Sequence, residues 1–317
     1  MRHFLLLSLL LIVSSCAVTR TSNDFIFPTK EGKAKYVAAY DDTLKSLWNV
    51  PFKEDDVPTT FGLAHVIISG PEHGEPVVLF HGTDASSTMW FPNIKAISKE
   101  YRVYAIDYPV EAGKSLMNLP DLSNKQMIKF FTEIFDWYAL EHINFVAASR
   151  GGWIATYLAL QPENRVKKLI LVSPAQTFGG VDKKGKALTA LVLKMFPDRA
   201  KLAIFFDRFS FYPEKIDAKY KEQFYLANKY GKSKPGLTKM LQFREKDISS
   251  LKIPVLVMVG DHDVINNVKV LEKAKALLPD CETAIIENAG HFISIDQSEI
   301  VNKKIVDFLN KNSDARD

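Results

Sequence analysis

The sequence predicts an α/β fold: a mostly parallel central sheet with helices on both faces, carrying a helical insertion. Three observations predict it. Short, continuously apolar runs recur along the chain, and strands that are apolar on both faces belong in parallel sheets buried on both sides. Stretches with helical spacing separate the runs, the alternation expected of βα units. The rhythm breaks only between about 178 and 246, which reads as helices rich in aromatic residues. With 317 residues, 47% of them hydrophobic, the chain can bury one large core, and its composition excludes disordered and collagen-like classes. The net charge of +4 is spread along the chain with no run of five Lys or Arg, so no nucleic-acid partner is expected.

The first residues read as an address. Arg2 and His3 precede ten mostly apolar residues, Phe4 to Val13, the layout of a secretory signal peptide. Val13-Ser14-Ser15-Cys16 then resembles the lipobox of bacterial lipoprotein precursors, in which the cysteine is lipidated and becomes the first mature residue. This implies a signal peptide over 1–15, a tether over 16–30, and an exported protein anchored by lipid to a membrane surface. The alternatives are a soluble secreted protein cut after Ala17 and an uncleaved anchor. Two cysteines, Cys16 and Cys281, are too few for a disulfide framework.

The elements follow in order. Tyr36, Tyr40, Leu44, Leu47 and Trp48 share one helical face, so 32–49 is expected to be an amphipathic helix. Short β-rich pieces at 59–61 and 65–68 end in the turn 70–74. Strands are expected at 77–80, 103–106, 144–148 and 169–172, with helices around 87–99, 123–140 and 151–161. After the insertion come strand 255–259, helix 267–278, strand 283–286 and a final helix around 297–311. The core is therefore expected over 31–177 and 247–317, and a helical cap over 178–246.

Four motifs carry chemistry. In Ala147-Ala148-Ser149-Arg150-Gly151 a strand runs straight into a helix. So tight a corner needs small residues two before and two after the serine, the steric basis of the G-x-S-x-G pattern, here with Ala147 in first place. His81-Gly82-Thr83 follows strand 77–80, Gly260-Asp261-His262-Asp263 follows strand 255–259, and Gly290-His291 follows strand 283–286.

Together these motifs resemble the α/β-hydrolase family in identity, order and spacing, over nearly all of residues 56–312. The resemblance implies Ser149 as nucleophile, His291 as general base and Asp263 as the acid that orients it, with Asp261 as the alternative acid. It implies an oxyanion hole from the backbone N–H groups of Thr83 and Arg150. His81 is then a structural residue of its turn and His262 a loop residue. No metal or organic cofactor is implied. Gly113-Lys114-Ser115 is not a P-loop, because Tyr108 stands where that motif needs glycine; the segment is instead similar to a family loop whose first glycine is here Val110.

The insertion falls where this family keeps a cap, and its aromatic content implies an apolar pocket. Trp90, Trp153 and Phe178 are candidates for its wall or for core packing. The Arg150 side chain either pairs with a carboxylate behind the sheet or binds a substrate carboxylate. The implied activity is a carboxylesterase acting on small to medium acyl esters, with a small-molecule ester as partner. A carbon–carbon bond hydrolase, thioesterase or amidase would use the same residues, and a non-catalytic binding lipoprotein is the remaining alternative.

Overall fold

The computed structural model describes residues 25–179, 188–232 and 240–311. The expected signal peptide and Cys16 lie outside the described residues. Of the tether expected over 16–30, the part from Ile26 onward is instead docked on the fold. Ile26 and Phe27 are buried, the Lys232 N–H donates to the Ile26 carbonyl at 2.7 Å, and the Phe27 ring lies 4.9 Å from that of Tyr36. Two apolar side chains in a polar segment were enough to dock it.

The first helix, α1 (Lys30–Leu47), begins where Thr29 accepts the Gly32 N–H, two residues earlier than its apolar pattern suggested. It buries Tyr36, Tyr40 and Leu44, and the Tyr36 hydroxyl donates to the Ala112 carbonyl at 3.0 Å. A hairpin follows, β1 (Phe52–Thr59) and β2 (Gly62–Ser69), whose turn contains the Thr60 and Phe61 expected in a strand. Next comes β3 (Pro76–Phe80). The helix expected over 87–99 is instead a 3-10 turn (Ser87–Trp90) and a short α2 (Ile94–Ile97). Pro92 between them lacks the N–H that a continuous helix requires.

β4 (Arg102–Ile106), the two-residue β5 (Leu116–Met117), α3 (Asn124–Trp137), β6 (Ile143–Ala148), α4 (Arg150–Ala159) and β7 (Val166–Val172) complete the first half. α3 starts at a capping box in which Ser123 and Gln126 satisfy each other's backbone N–H groups. The insertion contains α5 (Leu188–Met195), α6 (Arg199–Phe209), α7 (Ala218–Tyr230) and α8 (Glu245–Ile248). Then come β8 (Val255–Gly260), α9 (Lys269–Leu277), β9 (Cys281–Ile286), α10 (Ile293–Asp296) and α11 (Ser298–Leu309).

The sheet runs β1-β2-β4-β3-β6-β7-β8-β9, antiparallel at β1-β2 and β2-β4 and parallel from β4 onward, with β5 paired to β2. The order reverses at β3: β4 lies on one side and β6 on the other, with Phe80 opposite Ala147. In open α/β sheets, ligands bind beyond the carboxyl ends of strands at such a reversal. The sheet separates two apolar layers. One contains Phe130, Phe131, Trp153 and Leu169; the other contains Tyr36, Trp90, Phe205, Phe209 and Phe224 of the insertion, and Phe308.

The hairpin holds an ion cluster around the buried His65. His65 lies between Asp56, 2.8 Å from Nδ1, and Glu54, 3.1 Å from Nε2. Lys114 joins Glu54 to Asp41 of α1, both at 2.5 Å. Burial disfavours charge on His65, but its bonds to Asp56 and Glu54 prevail and raise it to about 9. A raised folded pKa stabilises fully below the unfolded value of about 6.5 and loses that effect as pH rises through 9. The contribution should be on the order of 2 kcal/mol, given the partly exposed carboxylates. In urea unfolding, His65→Gln should therefore be less stable than the parent at pH 6, with the difference shrinking between about pH 6.5 and 9 and largely gone above that. A difference independent of pH would remove the charge from this account.

Candidate active site

Four loops meet at the carboxyl ends of β3, β6, β8 and β9. At the end of β6 the backbone turns through Ser149, whose φ of 51° and ψ of −117° lie where L-residues are strained. The corner is held from three sides. The Ser149 N–H donates to the Val172 carbonyl, and the Ser149 carbonyl accepts from Gly152 and Ala175, all at 3.0 Å. A Cβ on Gly151 would stand 2.4 Å from the Phe80 carbonyl oxygen and 2.7 Å from that of His81, so only glycine lets α4 approach β3. Ala147 is fully buried in the other small position of the elbow.

His291 comes from the loop after β9. Its Nδ1 is 2.9 Å from Asp263 Oδ1 and its Nε2 is 2.9 Å from Ser149 Oγ. The Asp263 carboxylate can only accept, so Nδ1 carries the proton and Nε2 is left to accept the serine hydroxyl. Asp263 also accepts from the Ile265 N–H at 2.8 Å and from the Asn266 side chain at 2.9 Å. Burial would raise its carboxyl, but the charge and hydrogen bond of His291, with Asn266 and the Ile265 N–H, hold it below the ordinary carboxylate value. The structure thus brings Ser149, His291 and Asp263 into one chain of hydrogen bonds.

Asp261 is not in that chain. It accepts the N–H groups of Asn288 and Ala289, each at 3.0 Å, and so shapes the loop that presents His291. His262 lies beside it, Nδ1 2.8 Å from Asp261 Oδ1. His81 is occupied elsewhere: Nδ1 faces the Gly82 carbonyl at 2.8 Å, and Nε2 accepts the Tyr108 N–H at 3.2 Å. Burial pushes its imidazole down to about 4. Cys281 is partly buried, and its thiol is pushed up to about 11 by burial, which keeps it protonated and unreactive.

Two backbone N–H groups lie in the turns beside Ser149, those of Thr83 and Arg150. Arg150 is the first residue of α4, where the N–H has no intrahelical acceptor. Thr83 follows Gly82, and its N–H donates to no protein group among the described residues. A Cβ on Gly82 would lie 3.4 Å from that of Ser149, a measure of how closely the two turns approach.

The sequence reasoning missed what holds these turns together. Glu111, fully buried, pairs through Oε1 with the Arg150 guanidinium, while its Oε2 accepts the Asp84 N–H at 2.9 Å. One carboxylate therefore grips the residue that carries one N–H and the neighbour of the residue that carries the other. Burial lowers the Arg150 guanidinium to about 10, so it remains charged at neutral pH. Of the two roles open to Arg150, the structure shows pairing with a carboxylate of the protein. The departure of the 107–115 loop from its family pattern was the available signal, but it did not single out Glu111.

Asp296 was also missed. Fully buried in α10, it accepts from Ser210 Oγ and from the N–H groups of Gly290, Phe211 and Tyr212, the last three at 2.8–3.1 Å. It joins the end of α6 to the histidine loop, and the His291 N–H donates to the Phe209 carbonyl at 2.7 Å.

Above Ser149 and His291 is a cavity of about 300 Å³, lined in part by Met89, Leu193, Phe205, Phe209, Phe224 and Phe292. Gln176 and Asn228 add polar groups. The pocket-wall role expected for Trp90, Trp153 and Phe178 is corrected here: none of the three lines this cavity. Trp90 is wholly buried in the core on the insertion side of the sheet. Trp153 stacks on Tyr157 and Phe243 and donates to the Leu241 carbonyl at 2.9 Å, and Phe178 packs in that same opposite layer. The buried apolar residues of α4, Trp153 to Ala159, pack in that layer, away from the cavity, and sequence proximity to the serine did not reveal it.

This sheet order and this set of strand-end loops define an α/β hydrolase. A family model described as alpha/beta hydrolase fold matches residues 75–298, and the chain belongs to that family and is a hydrolase. It is 31% identical over 288 residues to the uncharacterized carboxylesterase nap of Bacillus subtilis, covering 87% of this chain and 92% of that one. It is 29% identical over 304 residues to carboxylesterase YbfK of the same organism, covering 89% and 96%. Among solved structures it is similar to naproxen esterase from Bacillus subtilis, with a TM-score of 0.82 at 30% identity, covering 89% of this chain and 99% of that one. A meta-cleavage product hydrolase from Pseudomonas fluorescens, with a TM-score of 0.68 at 22% identity over 82% of this chain and 98% of that one, shares the fold.

Glu111→Gln keeps the side-chain shape and leaves the buried Arg150 without a counter-charge. It should lower stability by about 3–5 kcal/mol. Stopped-flow and steady-state assays at a temperature where the variant is folded should show kcat falling at least about tenfold, as expected for loosened oxyanion donors. Unchanged kcat in the folded variant would limit Glu111 to stability.

Proposed function

We propose that this protein is a serine carboxylesterase that cleaves small to medium acyl esters through an acyl-enzyme on Ser149. The observation that carries the reading is the hydrogen-bonded series Ser149–His291–Asp263 at the floor of an apolar cavity. The carboxylesterase relatives, at about 30% identity over most of both chains, support the ester as the bond attacked.

The chemistry follows from the groups in place. A serine hydroxyl is a weak nucleophile until a neighbouring base takes its proton. As Ser149 Oγ attacks the ester carbonyl, that proton passes to His291 Nε2, and the imidazolium formed is stabilised by Asp263 at Nδ1. The negative charge moves to the former carbonyl oxygen, where the N–H groups of Thr83 and Arg150 stabilise it; one such donor is worth about 3–4 kcal/mol in kcat. Collapse returns the proton from His291 to the departing alcohol. Water then attacks the acyl-enzyme with His291 again as base, releasing the acid and restoring Ser149. The cavity, about 300 Å³, lies at the small end of ligand sites and suits modest apolar acyl or alcohol groups.

The same reading has the enzyme exported and held at a membrane surface by lipid on Cys16. Its support is the basic start, the apolar run 4–13 and the sequence Val13-Ser14-Ser15-Cys16.

A fluorophosphonate probe should label the wild-type protein and leave Ser149→Ala unlabelled; an unlabelled, folded wild type would defeat the proposal. Asp263→Asn should lower kcat by roughly 10⁴. Asp261→Asn, acting only through the loop, should cost far less, and the reverse ranking would transfer the acid role to Asp261. Cys16→Ser should abolish incorporation of labelled fatty acid into the expressed protein; continued incorporation would remove Cys16 as the lipid site.

A further inference from the structure

The inner and outer faces of α5 have opposite surroundings. Inward, Ala190 and Leu193 line the cavity, and Lys194 Nζ donates to Asp84 Oδ1 at 2.6 Å. Outward, Leu188, Leu191, Val192 and Met195 recur at helical spacing, and Phe196, whose N–H donates to the Val192 carbonyl, extends the row. These five side chains are between 37% and 60% exposed. Other exposed large apolar residues, such as Trp137, Val268 and Ile300, stand singly on separate elements, as is ordinary on a protein surface. A continuous row is not ordinary, and marks a surface that something covers.

Where the N-terminal segment joins the fold indicates what covers it. Ile26 is bonded to Lys232, and the Gly32 backbone lies against Tyr230, the last residue of α7. Tyr220, Phe224 and Asn228 of α7 line the same cavity as α5. Cys16 is nine residues before Phe25, a span of at most about 30 Å when extended. A lipid on Cys16 would therefore hold the attachment point, beside the end of α7, within about 30 Å of the bilayer. Helices that lie in a membrane interface do so through such an apolar face.

We propose that the outer face of α5 contacts the lipid surface, and that the enzyme takes apolar esters from that surface into the cavity walled by the inner face of α5. The proposal rests on the esterase reading and on the anchor at Cys16. Its chemistry is that of a lipid layer: an apolar face received by acyl chains, with the cavity beside it.

The test uses the processed full chain in vesicles of phosphatidylethanolamine and phosphatidylglycerol. An environment-sensitive fluorophore is placed at Leu191→Cys in a Cys281→Ala background, and in a control at Trp137→Cys on α3. Lipids carrying a quencher on the acyl chain should quench the label at 191 and spare the one at 137. In parallel, Leu191→Gln/Met195→Gln should hydrolyse a short soluble ester within about twofold of wild type, yet lose about tenfold or more on a long-chain ester held in the vesicles. An unquenched label at 191, whether because the chain does not bind vesicles or because a second copy covers α5 in a sedimenting dimer, overturns the proposal. So does equal turnover of the vesicle-held ester by variant and wild type. Failure of wild type to cleave either ester would defeat the esterase reading instead, while the quenching would still decide the surface.

Discussion

The backbone of Ser149 is the constraint on which the site depends. Its left-handed conformation is costly for an L-residue, and it persists because hydrogen bonds from Ser149 to β7 and to residues 152 and 175 overdetermine it. The corner lifts the hydroxyl off the sheet and sets the start of α4 beside the turn after β3. That close approach exists only because Gly151 has no side chain to meet the carbonyls of Phe80 and His81. The strand order does the rest: β3 and β6 are neighbours, so the turns at their carboxyl ends, which carry Thr83 and Arg150, lie side by side.

Around this corner the protein uses carboxylates as fasteners, those of Asp263, Asp296 and Glu111 buried and that of Asp261 exposed. Asp263 orients His291, Asp261 shapes the loop that carries it, Asp296 joins that loop to the end of α6, and Glu111 couples the turns of Thr83 and Arg150. A buried carboxylate is expensive unless its oxygens are satisfied, and each of these accepts several donors or faces a cation. Once satisfied, it fixes loops that no regular ladder of backbone bonds could hold. The histidine and the turns of Thr83 and Arg150 are therefore positioned by polar contacts, while the apolar layers on the two faces of the sheet supply the rigid frame.

The insertion has two roles within the same few helices. Phe205, Phe209 and Phe224 pack on one another and also face the cavity, so the small aromatic core of the insertion is also the cavity wall. α7 receives the segment that follows the expected anchor, and α5 turns an apolar row outward beside the cavity. The likeness of the whole arrangement to Bacillus subtilis carboxylesterases covers both core and insertion, since it extends over 89% of this chain.

By itself the sequence determined the class of fold and the three residues that meet at its centre. Buried parallel strands write themselves as continuous apolar runs, and the serine corner, the aspartate turn and the histidine turn each follow such a run directly. The small residues at 147 and 151 were legible because their reason is local steric exclusion. What only the tertiary structure decided was which distant groups meet. Glu111 is one carboxylate among many in the sequence and acquires its role only where β4 and α4 bring it to Arg150 and Asp84. Of the two roles open to Trp90, Trp153 and Phe178, cavity wall or core, the structure shows the core, a choice the sequence left open because it does not record which layer an apolar side chain joins. The broken helix at 87–99 and the docking of Ile26 and Phe27 were set by single residues against a periodic background. Periodicity records which face of an element is buried; it does not record what that face is buried against, and most of this site is made of such contacts.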